Sequence, residues 1–308
     1  MTGTTVVAVD QGKSGTRAEA RVDSGASVHS AASRGSELGT SGTDAVVDAV
    51  VGLRLPRPPD VVSVGTTAAP ETTEERHAVA AELRARLGAA RVLVTEDAVT
   101  AHLGAFHGTP GVVVSAGTGA IALWSDGAAC VRVDGWGPIL GDHGSGADIG
   151  ATGLRAAFSA MDGRGPATAL VEPARAHLGG LGLDAARKLH ASANPTEVAA
   201  DFAVAVIRAA ESGDPVAAAI ITRAAGDLAT SAALAAREPL ARGDRPRCCA
   251  VGQLMRAPAL RAAFVRRATE LGLVVADAPA GSLAGAMFLA TTGPTAAFAP
   301  LVGVAGAR

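Results

Sequence analysis

Two stretches whose glycine turns lie 105 residues apart constrain the fold more than any other feature of this chain. In "VVAVDQGKSGTRAEARV", residues 6–22, an apolar run through Val6, Val7 and Val9 leads into a Gly/Ser turn. Beyond the turn Arg17, Glu19 and Arg21 alternate with Ala18, Ala20 and Val22. The run has the pattern of a strand buried on both faces, and the alternation that of a strand with one face in water. "PGVVVSAGTGAIALW", residues 110–124, repeats the order of apolar strand, Gly/Thr turn and outgoing strand. Each unit is followed by alternating helix and strand patterns, so the chain reads as two α/β halves of similar topology.

A glycine turn after a buried strand can bind phosphate in three ways. A Walker loop needs GxxxxGK[ST] running into a helix, and a dinucleotide fingerprint needs GxGxxG opening a helix. Here Lys13 precedes Ser14, Gly15 and Thr16 and the next segment is a strand, so both fail. The third is a β-hairpin whose turn lays backbone N–H groups on phosphate oxygens. An Asp at the end of its incoming strand holds Mg²⁺ through water. Asp10 fits that place, Gly12 to Thr16 form the turn, and Gly117, Thr118 and Gly119 form its counterpart. A turn that only reverses the chain is the competing reading.

Elsewhere the patterns predict a helix near 43–53 capped by Thr43, a strand at 60–67, a helix at 71–88, and a strand ending at Asp97 with a helix from about Ala98. Residues 148–240 read as largely helical. Strand "RCCAVG", a helix at 259–271, strand "LVVADA" and a helix at 281–291 follow, with the last dozen residues as a loose tail.

With 48% hydrophobic residues but 3% aromatics and no Tyr, the core must be built from Ala, Val and Leu. A net charge of −2 gives no reason to expect nucleic acid or an anionic membrane surface. Cys130, Cys248 and Cys249 show no metal or disulfide spacing, and the polar turn reached by Asp10 argues against a secretory leader, so a reducing cytoplasm is expected. Residues 278–307 carry no charge, but Pro279, Pro294 and Pro300 interrupt the run, and a membrane span is not expected.

Five segments, in order, resemble the sugar kinase/Hsp70/actin superfamily, and within it the N-acetylglucosamine kinase and BadF/BadG/BcrA/BcrD-type ATPase group. They are "VAVDQGKSGTR", "TEDAVTAHLGAF", "VVSAGTGAIALW", "DGWGPILGDHGSGADIG" and "CAVGQLMRAPALRAAF". The resemblance implies a two-lobed, ribonuclease H-like α/β ATPase fold with duplicated halves. The N-terminal lobe would be 1–106, the C-terminal lobe 107–280, and 281–308 a final helix and tail, the helix packing back on the first lobe. It implies ATP and Mg²⁺ as cofactors, an amino sugar as substrate, nucleotide and sugar held between lobes that close on them, and a homodimer.

By the same resemblance Asp97 is the base that accepts the sugar hydroxyl proton, an N-cap of the next helix being the alternative. Gly12, Lys13, Ser14, Gly15, Thr16, Gly117, Thr118 and Gly119 would hold phosphates, and Gly252 and Gln253 the adenosine. Gly135, Trp136, Gly137 and Asp142 would face the sugar, with Asp10 carrying Mg²⁺ through water. Four positions depart from the family pattern. Ala120 stands where Ser is usual, His143 where Glu is usual, and Glu96 where Asn is common. "LGTSG" replaces a sugar-binding Asn, with Thr40 or Ser41 as substitutes. Two other readings share this fold. A non-catalytic sugar or nucleotide sensor fits the losses. An activase would need cysteine ligands for an iron–sulfur cluster. The zinc-bearing repressor/kinase group is excluded by the lack of a Cys-rich cluster.

Overall fold

The alternation after residue 15 places Thr16, Ala18 and Ala20 inward and Arg17 and Arg21 outward, and the apolar run before it is buried almost throughout. The computed structural model, which describes residues 3–13, 15–22, 27–33, 42–67 and 69–307, makes these two segments the strands β1 (Thr5–Gln11) and β2 (Thr16–Val22), an antiparallel hairpin. A third strand, β3 (Ser27–Ser33), pairs antiparallel with β2. The sequence reading passes from β2 to a helix through a loop, and β3 corrects it. "SVHSAAS" lacks an apolar alternation, and pairing to β2 rather than its own propensity makes it a strand.

Helix α1 (Thr43–Gly52) starts at Thr43, but Thr43 is not its cap. Gly42 holds that place without a side-chain bond. The Thr43 hydroxyl instead donates to Glu82 Oε1 (2.8 Å) and accepts from Arg86 Nη1 (3.0 Å). Then come β4 (Val61–Thr66), α2 (Thr73–Leu87), β5 (Arg91–Glu96) and α3 (Asp97–Phe106). Thr72 and Glu75 close a capping box on α2, and Gly88 ends it in the left-handed region at φ 63°.

The second repeat begins with β6 (Gly111–Ala116), β7 (Ala120–Ser125) and β8 (Cys130–Asp134). Six helices follow: α4 (Gly146–Met161), α5 (Val171–Leu178), α6 (Leu183–His190), α7 (Pro195–Glu211), α8 (Pro215–Ala235) and α9 (Arg237–Ala241). Next are β9 (Arg247–Val251), a short 3-10 turn Gln253–Arg256, α10 (Pro258–Glu270), β10 (Val274–Ala276), α11 (Ser282–Thr292) and β11 (Gly303–Ala305). Cys248 and Cys249 are buried in β9, and none of the three cysteines forms a disulfide among the described residues.

One sheet has the order β11-β5-β4-β1-β2-β3 and the other β10-β9-β6-β7-β8. Without β11 the two orders are the same in terms of chain position, and this is the duplication expected from the two glycine hairpins. Contacts divide the chain into two compact units. One holds Met1–Val113, Leu123–Val131 and Asp277–Arg308, and the other Val114–Ala122 and Arg132–Ala276.

In the first unit one sheet face, with Val7, Val9, Val62, Val64, Val92 and Val94, packs on Val46, Val50 and Leu53 near α1 and on Ala80 and Leu83 of α2. The other face, with Val6 and Ala8, packs on Ala286, Met287 and Ala290 of α11, which also lies along α3. That helix pair is close. A Cβ on Gly285 would stand 1.7 Å from the Thr100 carbonyl oxygen and 2.6 Å from Gly104 N. In the second unit α4 packs on α7, and α8 on α7 and α10.

The last dozen residues are not the loose tail expected from sequence. Strand β11 pairs antiparallel with β5, Val304 N–H donates to His77 Nδ1 (2.8 Å), and Thr95 Oγ1 donates to the Leu301 carbonyl (2.9 Å). Three residues are too few for a legible strand pattern; an open sheet edge recruits them. Among the described residues no helix is long and apolar enough to cross a membrane.

Candidate active site

Strands β1, β4 and β5 run parallel, in a register that puts Gln11, Thr66 and Glu96 in one row. Asp10 precedes that row and Asp97 follows it. The two acids therefore stand at the carboxyl ends of strands two places apart, about 10 Å between strand axes. Open α/β sheets bind their ligands at this edge.

Asp10 lies opposite Arg17 in the hairpin, and its carboxylate accepts from the Arg17 guanidinium at 2.5 Å. The turn is closed by Gly12 N–H donating to the Gly15 carbonyl (2.9 Å), with Lys13 exposed and Thr16 buried. Gln11 ties the hairpin down: its side chain donates to the Gly42 carbonyl (2.7 Å) and accepts from Thr66 Oγ1 (2.8 Å). Ser14, Thr40 and Ser41 lie outside the described residues.

Asp97 is the first helical residue of α3 rather than its cap, which is Glu96. A half-buried carboxylate in the first turn of a helix is favoured by the helix dipole. Glu96 is turned to Arg76, whose guanidinium is 3% exposed and lies 3.4 Å from Glu96 Oε1. Arg76 also donates to the Glu71 carbonyl (2.9 Å).

In the second unit Gly117, Thr118 and Gly119 form the turn from β6 to β7. Gly117 N–H donates to the Gly119 carbonyl (2.9 Å). The first N–H groups of α4 donate into the same turn, Gly146 to the Gly117 carbonyl (2.8 Å) and Ala147 to that of Thr118 (3.1 Å). Gly252 approaches it from β9. It sits at φ 102°, and a Cβ there would stand 2.1 Å from the Ala116 carbonyl oxygen, so the position requires glycine. Gln253, exposed, opens the 3-10 turn beyond it. Ala120, where the family has Ser, is buried.

The loop 134–145 joins this group. Asp142 is buried, adopts the left-handed region at φ 58°, and rests against Gly119, where a Cβ would stand 2.8 Å from its Oδ2. Trp136 is 65% exposed with the Arg132 guanidinium 5.5 Å above its ring. Gly135 and Gly137 flank it at φ 78° and 84°. The second unit thus brings together Gly117, Thr118, Gly119, Gly135, Trp136, Gly137, Asp142, Gly252 and Gln253. The first brings together Asp10, the Gly12–Thr16 turn and Asp97.

Three organising residues escape the sequence reading: Gln11, Arg76 and Asp134. Asp134 is buried, and its carboxylate accepts from the N–H groups of Gly135 (2.8 Å), Asp142 (2.6 Å) and His143 (2.9 Å). The His143 ring Nδ1 is 3.1 Å away. Burial alone would raise this acid. The N–H groups of His143 and Asp142, with the His143 ring and Gly135, outweigh it and hold the carboxyl below its ordinary range. An Asp–Gly pair opening a glycine loop is the signal that could have found it. Behind the loop, Asp148 accepts from Gly144 N–H (2.9 Å) and pairs with Arg223 (3.0 Å), which also holds Asp227 (2.9 Å). Burial, opposed by Arg223, raises the Asp227 carboxyl.

Comparison with known proteins bears on the family and the fold. The N-acetylmuramic acid/N-acetylglucosamine kinase of Clostridium acetobutylicum is 34% identical over 110 residues, 35% of this chain and 36% of that protein. The N-acetyl-D-glucosamine kinase of Dictyostelium discoideum is 46% identical over 63 residues, 20% of each chain. The chain thus spans about a third and a fifth of the lengths of these relatives. A solved structure of a Chromobacterium violaceum protein assigned as an N-acetylglucosamine kinase superposes with a TM-score of 0.76 at 27% identity, covering 94% of this chain and 99% of that one. A Streptomyces griseus ROK-family glucokinase, solved with glucose and AMPPNP, shares the fold at TM-score 0.59 and 19% identity, over 93% and 99% of the two chains. Residues 2–287 match one family throughout, and the chain belongs to the BadF/BadG/BcrA/BcrD ATPase family.

Proposed function

We propose that this protein is an ATP-dependent kinase that phosphorylates a hydroxyl of an amino sugar, N-acetylglucosamine at its 6-hydroxyl or a related hexosamine. The observation that carries the reading is the placement of Asp97 and Asp10 at the carboxyl ends of parallel strands β5 and β1, beside a glycine hairpin. The family and the kinase relatives support it.

In this reading the sugar oxygen forms a bond to the γ-phosphorus, and the bond from that phosphorus to the β–γ bridging oxygen breaks. Asp97 takes the hydroxyl proton. Such transfer needs positioning and charge neutralisation more than covalent help. The turns at 12–16 and 117–119 orient the phosphates, and Gly252 and Gln253 the adenosine. Asp142, Trp136, Gly135 and Gly137 hold the sugar.

Magnesium usually takes one or two carboxylates, with water and phosphate oxygens completing its shell. A single Asp10 at the hairpin fits such a donor set, with Arg17 orienting it, and the metal would neutralise phosphate charge there. A homodimer in the cytoplasm completes the proposal. The activase alternative gains nothing from the cysteines. Cys248 and Cys249 are buried within β9, and burial pushes the Cys248 thiol far up.

The test is ADP release from Mg-ATP across N-acetylglucosamine, glucosamine, N-acetylmannosamine, N-acetylmuramic acid, glucose and no sugar. Release that depends on one amino sugar supports the kinase and names its acceptor. Equal, slow release in every well overturns it in favour of a sensor or a plain ATPase.

A further inference from the structure

The loop 134–145 takes an unusual path for a reason that lies in one side chain. Asp134 and Asp142 both adopt left-handed backbone, at φ 66° and 58°, a conformation few side-chain-bearing residues take. Both also lie buried. Strain of this kind persists only where surrounding contacts fix it, and the contacts converge on the Asp134 carboxylate. Its Oδ1 accepts from Gly135 and Asp142, and its Oδ2 from His143. A Cβ on Gly141 would stand 2.3 Å from Oδ1, so the chain passes directly over the carboxylate. On its other side Asp142 is fixed by its own carbonyl, which accepts from Ser145 N–H (3.0 Å). The Asp142 peptide is therefore held at both ends, and its carboxylate is aimed at the bare Gly119 of the second glycine turn.

We propose that Asp134 is a positioning residue for the sugar. By collecting three backbone N–H groups it sets the direction of the Asp142 carboxylate and the span of loop carrying Trp136. It touches no reacting atom. The inference rests on the kinase reading for its consequence in turnover. The anchoring itself does not, and the test separates the two.

Two variants of the full chain are needed. Asp134→Gly removes the acceptor while suiting the positive φ, so the backbone is relieved rather than strained. Asp134→Asn keeps one acceptor oxygen but turns an NH₂ toward the donors at residue 143. The His143 ring can turn to accept from it, whereas the main-chain N–H cannot. Loss of hydrogen bonds to a charged acceptor predicts a sugar KM raised about tenfold or more in Asp134→Gly. The KM for ATP should stay within about twofold, and Asp134→Asn should fall between.

Hydrogen exchange should quicken in peptides spanning 134–145 and stay unchanged in β6 and α8. A sugar KM within about twofold of the parent overturns the proposal. So does a parallel rise in both KM values with protection lost throughout the second unit, which would make Asp134 a general fold residue. If the parent shows no sugar-dependent turnover, the kinase reading fails on its own. The exchange arm then decides the anchoring: faster exchange confined to 134–145 sustains it, and unchanged exchange in Asp134→Gly overturns it.

Discussion

Helix α3, which begins with Asp97, carries a histidine whose protonation is opposed by burial. His102 is fully buried, its Nε2 3.0 Å from the Gly111 carbonyl, its ring against Phe106 and Phe298, and its Nδ1 without a partner. Burial pushes the imidazole down to about 4, against a smaller opposing effect of the Gly111 carbonyl. The unfolded chain binds that proton near the ordinary value of 6.5. The neutral ring thus contributes stability that is full above pH 6.5 and lost as pH falls toward 4. Linkage gives a loss of about 2 kcal/mol at pH 5 and about 3 kcal/mol at pH 4.

His102→Gln supplies the control, since Gln can still donate to Gly111 but does not titrate. It will be less stable at every pH through lost ring contacts, a constant offset. Urea unfolding followed by circular dichroism at pH 7.5 and pH 5 should show the parent's advantage over the variant shrinking by about 2 kcal/mol. Groups other than His102 cancel in that difference. Parallel stability curves would refute the reasoning and mean that the folded protein accommodates a charged imidazole.

Asp97→Asn should lower kcat by about 10²–10⁴-fold with ATP affinity within about twofold, measured by steady-state kinetics and calorimetric titration; kcat within about threefold of the parent removes Asp97 as the base. Asp142→Ala should raise the sugar KM more than the ATP KM, and an unchanged sugar response would take it out of the sugar site. Gly285→Ala places a methyl 1.7 Å from the Thr100 carbonyl oxygen. Although Ala favours helix by about 1 kcal/mol, the clash should lower stability by about 2 kcal/mol net, read as a melting temperature roughly 4 °C lower. No change would mean α3 and α11 part easily.

The hairpins at Gly12 and Gly117 were legible because strand burial and turn composition are local, and the duplication followed from their repetition. Helices with strong ends, such as α2 with its Thr72 box and Gly88, were legible for the same reason. Strand β3 and strand β11 were not, since each is recruited by the open edge of another strand, β2 for β3 and the distant β5 for β11. Thr43 misled because a hydroxyl at a helix start can equally serve a neighbour, here Glu82 and Arg86. Asp97 and Asp142 stood out by motif. What a motif cannot give is the partner chosen by three-dimensional folding: Arg17 for Asp10, Arg76 for Glu96, and Asp134 beneath the 134–145 loop.

The first compact unit is discontinuous, opening at β1 and closing only with residues 277–307. Until those residues arrive, β5 presents an unpaired, apolar strand edge at Val92, Leu93 and Val94, and Val6 and Ala8 lack the helix that covers them. A ribosome-bound chain must therefore carry an open, adhesive sheet through the synthesis of some 150 intervening residues before it can seal the edge. Loss of β11 and α11 therefore reaches back to the sheet that bears Asp10 and Asp97, although those acids lie some 200 residues or more earlier in the chain.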